Sequence, residues 1–174
     1  MEPLTKVRLR PLVMRDASAV AAAQHAMAAE DFTFALRWRE TLAWDDYLGR
    51  LDRIRRDIEV PDGLVPADFL VAEVDGRIVG RSSIRHRLND LLAHEGGHIG
   101  YCVLPAHRRR GFATEILRQS LIIARAAGVD RVLVACDDDN EASGVIIERC
   151  GGVLEDVVQS RDDVPVPVRR YWIA

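Results

Sequence analysis

The sequence predicts a mixed α/β fold: one sheet of both parallel and antiparallel strands, with helices on its faces. Three observations carry this. Apolar runs of strand length and segments of helical period follow one another as β, α, α, β-hairpin, β, α, β, α, β, β. The strand–helix–strand run over 98–136 implies a parallel neighbour pair or a near equivalent. The paired strands around Asp75-Gly76 and at the end of the chain imply antiparallel ladders elsewhere.

The elements follow in order. VRLR (7–10) alternates apolar and basic residues and is a strand. Asp16 or Ser18 caps the alanine-rich helix that follows, ASAVAAAQHAMAAE. A second helix is expected at about 40–58, with Leu48, Leu51, Ile54 and Ile58 at helical spacing. PDGLVP (61–66) breaks it. FLVAEV and RIVGRSSIRH form a hairpin around Asp75-Gly76, and RLNDLLAHEGG is a connector. HIGYCVL (98–104) is a strand stopped by Pro105. Residues 112–127 are helical, and Gly128 suits the C-cap. RVLVAC (131–136) is apolar throughout, as in a strand covered on both faces. A helix at about 140–149 and strands at about 153–159 and 166–173 complete the chain. No repeat or linker interrupts residues 1–174, so one domain is expected.

Composition narrows the function. The 174 residues are 48% hydrophobic with a net charge of −3, so no global basic field recruits nucleic acid. Cys102, Cys136 and Cys150 fit neither a metal pair nor a disulfide framework. Asp137 to Asp139 lack the spaced partners of a cation loop, and no metal is expected. MEPLTKVRLR is too polar for a secretory leader, and no apolar run is long enough to span a bilayer. A cytoplasmic protein without a membrane partner is the expectation.

The stretch LPAHRRRGFATEIL (104–117) is electrostatically odd. Arg108, Arg109 and Arg110 crowd positive charge at the mouth of a helix, where the dipole is already positive. A bound anion resolves the conflict. First-turn amides lack internal partners and suit a phosphate, while Gly111 and the small Ala113 permit close backbone approach. Arginine adds charge-assisted bonds. Neither a P-loop string nor GxGxxG is present.

What is present is Arg108-x-x-Gly111-x-Ala113 after Val103-Leu104-Pro105, followed downstream by Asn140 and Ser143 after the strand RVLVAC. This pattern resembles the GNAT superfamily of N-acetyltransferases over essentially the whole chain. HIGYCVLPAHRRRGFATEIL is especially similar to its RimJ-like branch. The resemblance implies a central, mostly antiparallel twisted sheet with a splayed parallel strand pair and helices on both faces. It implies acetyl-CoA as cosubstrate, with Cys102, Val103 and Leu104 holding pantetheine through main-chain groups. The pyrophosphate would meet Arg108, Arg109, Arg110, Gly111, Phe112, Ala113 and Thr114. Asn140 and Ser143 would face the cofactor, with close approach as one reason for Gly144.

One departure stands out. Many members carry a tyrosine seven residues after the asparagine as general acid, and here that position is Ile147. Ser143, Tyr101 or a water would protonate the leaving sulfur instead. For the general base the resemblance points to His98, with Glu95 as the alternative; a histidine titrates near neutral pH. Ser82, Arg85 and His86 belong either to a solvent-facing strand or to an acceptor pocket, and Trp38 and Trp44 either to the core or to that pocket. The implied activity is acetyl transfer to a primary amine of a small molecule or a peptide. The alternative is a silent acyl-CoA binding or sensing module. Nucleic-acid binding by the arginines is opposed by the net charge and the few aromatics. The last hairpin offers an edge strand for a homodimer.

Overall fold

A computed structural model describes residues 6–174; the first five residues of the polar opening segment lie outside it. Its elements are β1 (Arg8–Pro11), α1 (Ala17–Ala28), α2 (Trp44–Arg55), β2 (Ala67–Val74), β3 (Arg77–Arg85), β4 (Ile99–Val103), α3 (Phe112–Ala126), β5 (Val132–Asp137), α4 (Glu141–Arg149), β6 (Val153–Gln159) and β7 (Pro167–Ile173). The strands form one sheet in the order β1-β2-β3-β4-β5-β7-β6. Every neighbouring pair is antiparallel except β4 and β5. The expected mixed sheet is therefore present, with its single parallel pair where the strand–helix–strand run placed it.

Residue alternation along the strands divides the core between the two sheet faces. Ile84, Ile99, Val132, Val134 and Tyr171 pack with α3 and with Ile147 of α4. On the opposite face Phe69, Val71 and Cys102 pack with Val20, Ala23, Met27 and Tyr47 of α1 and α2. Ser82 is fully buried beneath α3, where its hydroxyl meets that of Ser120 at 2.8 Å. The hairpin turn has Asp75 and Gly76 both at positive φ, 48° and 76°, as the two-residue turn requires.

The second helix is shorter than its period suggested. It starts at Trp44 rather than about 40 and ends at Arg55 rather than about 58. Asp57 and Glu59 adopt positive φ, which stops the helix, and Ile58 is exposed instead of completing the buried stripe. The connector before β4 contains one wide helical turn, Leu92–Gly96. It is pinned by Arg170, whose Nη1 donates to the Ala93 carbonyl at 2.8 Å.

The two sheet edges differ. On β1, the Gln119 amide of α3 donates to the Val7 carbonyl at 2.8 Å and accepts from the Leu9 N–H at 3.2 Å, blunting the outer edge. The β6 edge pairs only with β7 and exposes Val153, Leu154 and Val157. Among the described residues no helix is long and apolar enough to cross a membrane.

Candidate active site

The parallel pair β4/β5 opens into a V. It has one ladder position, Ile99 opposite Val134. At the vertex the His98 N–H donates to the Leu133 carbonyl at 2.7 Å, and the Leu133 N–H donates back to Nδ1 of the His98 ring at 2.9 Å. Gly97, at φ 65°, lies against the same carbonyl: a Cβ there would stand 2.6 Å from the Leu133 oxygen. Past Ile99 the strands no longer pair.

Strand main-chain groups alternate in direction, which sorts the expected pantetheine positions. The Leu104 N–H donates to the Val79 carbonyl of β3 at 2.8 Å. The Cys102 carbonyl also abuts β3, 2.2 Å from where a Cβ of Gly80 would stand. Cys102 and Leu104 thus spend their main-chain groups on β3, and Tyr101 and Val103 face the gap. Of the three positions expected to hold pantetheine, Val103 alone keeps its main chain off β3, because the pairing with β3 sets the phase of the strand.

The loop after β4 is built to leave amides free. Arg109 has φ 64° and Gly111 has φ 78° and ψ 0°, and no side chain caps α3. The N–H groups of Phe112, Ala113 and Thr114 find no protein acceptor among the described residues. Left-handed residues beside a bare helix start make an anion-binding concavity. The three arginines are not equivalent. Arg108 is a brace: its guanidinium grips Glu30, in the turn after α1, at 2.7 and 2.8 Å, and Nε donates to the Val103 carbonyl at 3.1 Å. That corrects the expectation that its side chain serves the phosphate. Arg109 and Arg110 are exposed and make no protein hydrogen bond among the described residues.

Across the gap, Asn140 caps α4, its Oδ1 accepting from the Ser143 N–H at 3.1 Å. The Ser143 hydroxyl lies 2.9 Å from that of Tyr101, bridging α4 to β4. Burial pushes the Tyr101 phenol up to about 12, so it keeps its proton at neutral pH. Ile147 is fully buried in the core and offers no proton donor there. Gly144 has a packing reason rather than a cofactor one: a Cβ would stand 3.1 Å from the Tyr171 hydroxyl and 3.4 Å from Arg169.

The two base candidates differ sharply. Burial, then the nearby Arg85 charge, lowers the His98 pKa to about 4. Its Nδ1 already accepts an amide, so the neutral ring carries its proton on Nε2. This geometry suits a structural wedge and opposes the role of base. Glu95 sits half-buried on the turn before β4, with Oε2 accepting from the Arg161 N–H at 2.9 Å. Its other oxygen makes no protein hydrogen bond among the described residues.

The remaining assignments also separate. Ser82 faces α3, and His86 is paired with Asp68 at 2.8 Å. Trp38 and Trp44 stack edge to face at 6.0 Å against the α1/α2 core, which takes them as packing residues. Cys102 is buried, and burial pushes its thiol up, unlike a nucleophile. Asp138 of the acidic run is paired with Arg169 at 2.6 Å.

Comparison with known proteins agrees with this architecture. No curated protein matches the chain in sequence. RimJ of Mycobacterium smegmatis, solved with CoA-disulfide, superposes with a TM-score of 0.72 at 21% identity, over 98% of this chain and 83% of that one. The yncA protein of Salmonella typhimurium, solved with its cofactor acetyl-CoA, gives 0.65 at 17% identity, over 96% and 92%. RimL, a ribosomal L7/L12 α-N-protein acetyltransferase, gives 0.66 at 18% identity, over 98% and 91%. At such identities the likeness is one of fold. The family model for the GNAT acetyltransferase domain matches residues 6–153, and the chain belongs to that family.

Proposed function

We propose that the chain binds acetyl-CoA in the V between β4 and β5 and transfers the acetyl group directly to the primary amine of an acceptor. The observation that carries this reading is the open strand pair beside an uncapped α3 N-terminus. Acetyl-CoA supplies the activated acetyl group as a thioester. The amides of Arg109 to Thr114 hold the pyrophosphate, Arg109 and Arg110 add charge, and the main-chain groups of Tyr101 with the Val103 N–H bind pantetheine in the manner of an added strand. Asn140 shapes the α4 end of the gap through its cap on Ser143.

The amine nitrogen attacks the carbonyl carbon, the carbon–sulfur bond breaks, and one proton must pass from nitrogen to a base while another reaches the thiolate. Glu95 takes the first, directly or through water. The hydroxyl pair Ser143–Tyr101 delivers the second, Ser143 donating, Tyr101 replenishing it and water at the mouth of the gap returning the proton to Tyr101. No acyl-enzyme is needed. His98 holds the vertex.

The buried Ile147 favours a second reading, a binding or sensing module without turnover. Calorimetry with acetyl-CoA, followed by turnover with an amine panel, separates the two. Binding by the wild type and its loss in Gly111→Asp are expected, because aspartate brings a negative charge and a Cβ to a φ of 78°. No binding by folded wild type overturns both readings; binding without turnover leaves the sensing module. Three free cysteines are in keeping with a cytoplasmic site of action. The open β6 edge, with its exposed valines, supports a homodimer joined there, and light scattering at a monomer mass would end that reading.

A further inference from the structure

Two arginines on one face of β3, Arg81 buried and Arg85 half-buried, have no carboxylate partner among the described residues. Arg81 is 4% exposed, and its guanidinium is spent on carbonyls: Nε on Phe34 at 3.1 Å, Nη1 on Gly100 at 3.0 Å, Nη2 on Thr33 at 2.9 Å. The rings of Phe32 and Phe69 flank it at 4.9 and 5.9 Å. Arg81 is a clamp that ties the α1–α2 loop to β4. Arg85, four residues on and on the same face, is different. Its Nη1 donates to the carbonyls of Gly96 and Gly97 at 3.1 and 3.2 Å. Its Nε and Nη2 have no protein acceptor among the described residues. They reach open space, because the only enclosed side-chain nitrogen or oxygen without a partner there is Nε1 of Trp38.

Both guanidinium groups converge on Gly100. A Cβ at that position would stand 3.4 and 3.5 Å from Nη1 and Nη2 of Arg85 and 3.8 Å from Nη1 of Arg81. Glycine therefore lets the charged groups lie flat on β4, one residue from Tyr101, where the gap opens. No carboxylate acts on either arginine; burial lowers Arg85 to about 10, and its one charged neighbour is Arg81. A charge partly withdrawn from water without a counter-ion is costly, and a bound anion offsets that cost.

From this juxtaposition we infer that the acceptor is a small amine bearing a carboxylate a few bonds from its nitrogen, an amino acid in the broad sense, and that Arg85 binds that carboxylate. The inference rests on the amine-acetyltransferase reading above and narrows its acceptor. The carboxylate fits the two free donors of Arg85 side by side, a bidentate geometry that arginine favours. The amine end then lies toward Tyr101, beside the splayed main chain. Arg85 specifies the acceptor, whereas Glu95 and Ser143 handle protons.

The test is a matched pair of acceptor series: L-amino acids, with β-alanine included, and the corresponding C-terminal amides. Acetylation by the wild-type protein should favour the acids over their amides in kcat/KM by about 10- to 100-fold, the worth of a hydrogen bond to a charged group. Arg85→Gln should erase that preference, bringing acids and amides to the same kcat/KM, and Arg85→Lys should restore part of it. Amides turned over as well as acids by the wild type, or a preference that survives in Arg85→Gln, overturns the inference while leaving amine acetylation standing. If neither series is acetylated, amine transfer has failed for these acceptors, and thermal shift decides the carboxylate claim alone. Stabilisation of the wild type by the acids but not the amides, absent in Arg85→Gln, supports it; equal or no shifts sink it.

Discussion

The two ends of β4 show how one strand serves structure and chemistry at once. At its lower end the strand is tied to β5: His98 exchanges two hydrogen bonds with Leu133, and Gly97 lies too close to the Leu133 carbonyl for any side chain. At its upper end the same strand leaves β5 alone, and the Tyr101 hydroxyl reaches across to that of Ser143 on α4. The histidine ring makes the difference possible. By accepting the Leu133 amide it fills the place of a ladder carbonyl, so the pairing can end without leaving a buried donor orphaned. A rigid vertex then holds an open mouth, which a flexible pair of strands could not keep open against collapse.

If that division is real, substitutions of the proton-handling groups, Ser143 and Tyr101 at the open end and Glu95 on the turn before β4, should alter turnover and leave stability nearly intact. The largest effect belongs to the proton-handling groups. Glu95→Gln should lower kcat by about 100-fold or more, within the usual range for a general base. Ser143→Ala should cost about 10- to 100-fold in kcat, and Tyr101→Phe somewhat less. Ser143→Ala combined with Tyr101→Phe should be little worse than Ser143→Ala alone, because the two hydroxyls act in series. Additive losses would mean that they do not form a relay. Unchanged kcat in Glu95→Gln with intact acetyl-CoA binding would remove Glu95 from the mechanism.

The same contrast explains what the sequence could and could not disclose. Element order, the Asp75-Gly76 turn and the anion cradle at Gly111 were legible because they depend on local chemistry: apolar period, turn dipeptides and an uncapped helix start. The phase of β4 was not. Whether Cys102 or Tyr101 faces the gap depends on which residue of β3 it opposes, and that is a long-range fact. Arg108 looked like its two neighbours in the run, yet Glu30, 78 positions away, makes it a brace. His98 matched the position and the residue type expected of a base. Only the approach of the Leu133 amide shows it as a wedge. Arg85 was legible as a strand residue, but the lack of any counter-charge around it appears only once the sheet is assembled.

The smallest effect is expected at the closed end, and it is one of stability. The His98 pKa is about 4 in the folded protein against 6.5 in the unfolded chain. Between these values the unfolded state binds the extra proton, so stability is complete above about pH 6.5 and falls as the pH drops toward 4. A difference of this size is worth at most about 3 kcal/mol, spread over that window. Denaturant melts at pH 7 and pH 4.5 should therefore show the wild type losing stability on acidification. His98→Asn should lose less over the same interval, while starting from a lower value, since its shorter amide reaches the Leu133 N–H poorly. A wild-type loss matched by His98→Asn would place the acid sensitivity elsewhere. The charge that acidification forces onto the ring also has a direction: it would stand beside Arg85, already unpaired, and the Leu133 amide would lose its acceptor. Acid should thus unzip the vertex before it disturbs the open mouth, so amide exchange at Leu133 should accelerate at pH 4.5 ahead of exchange in α3.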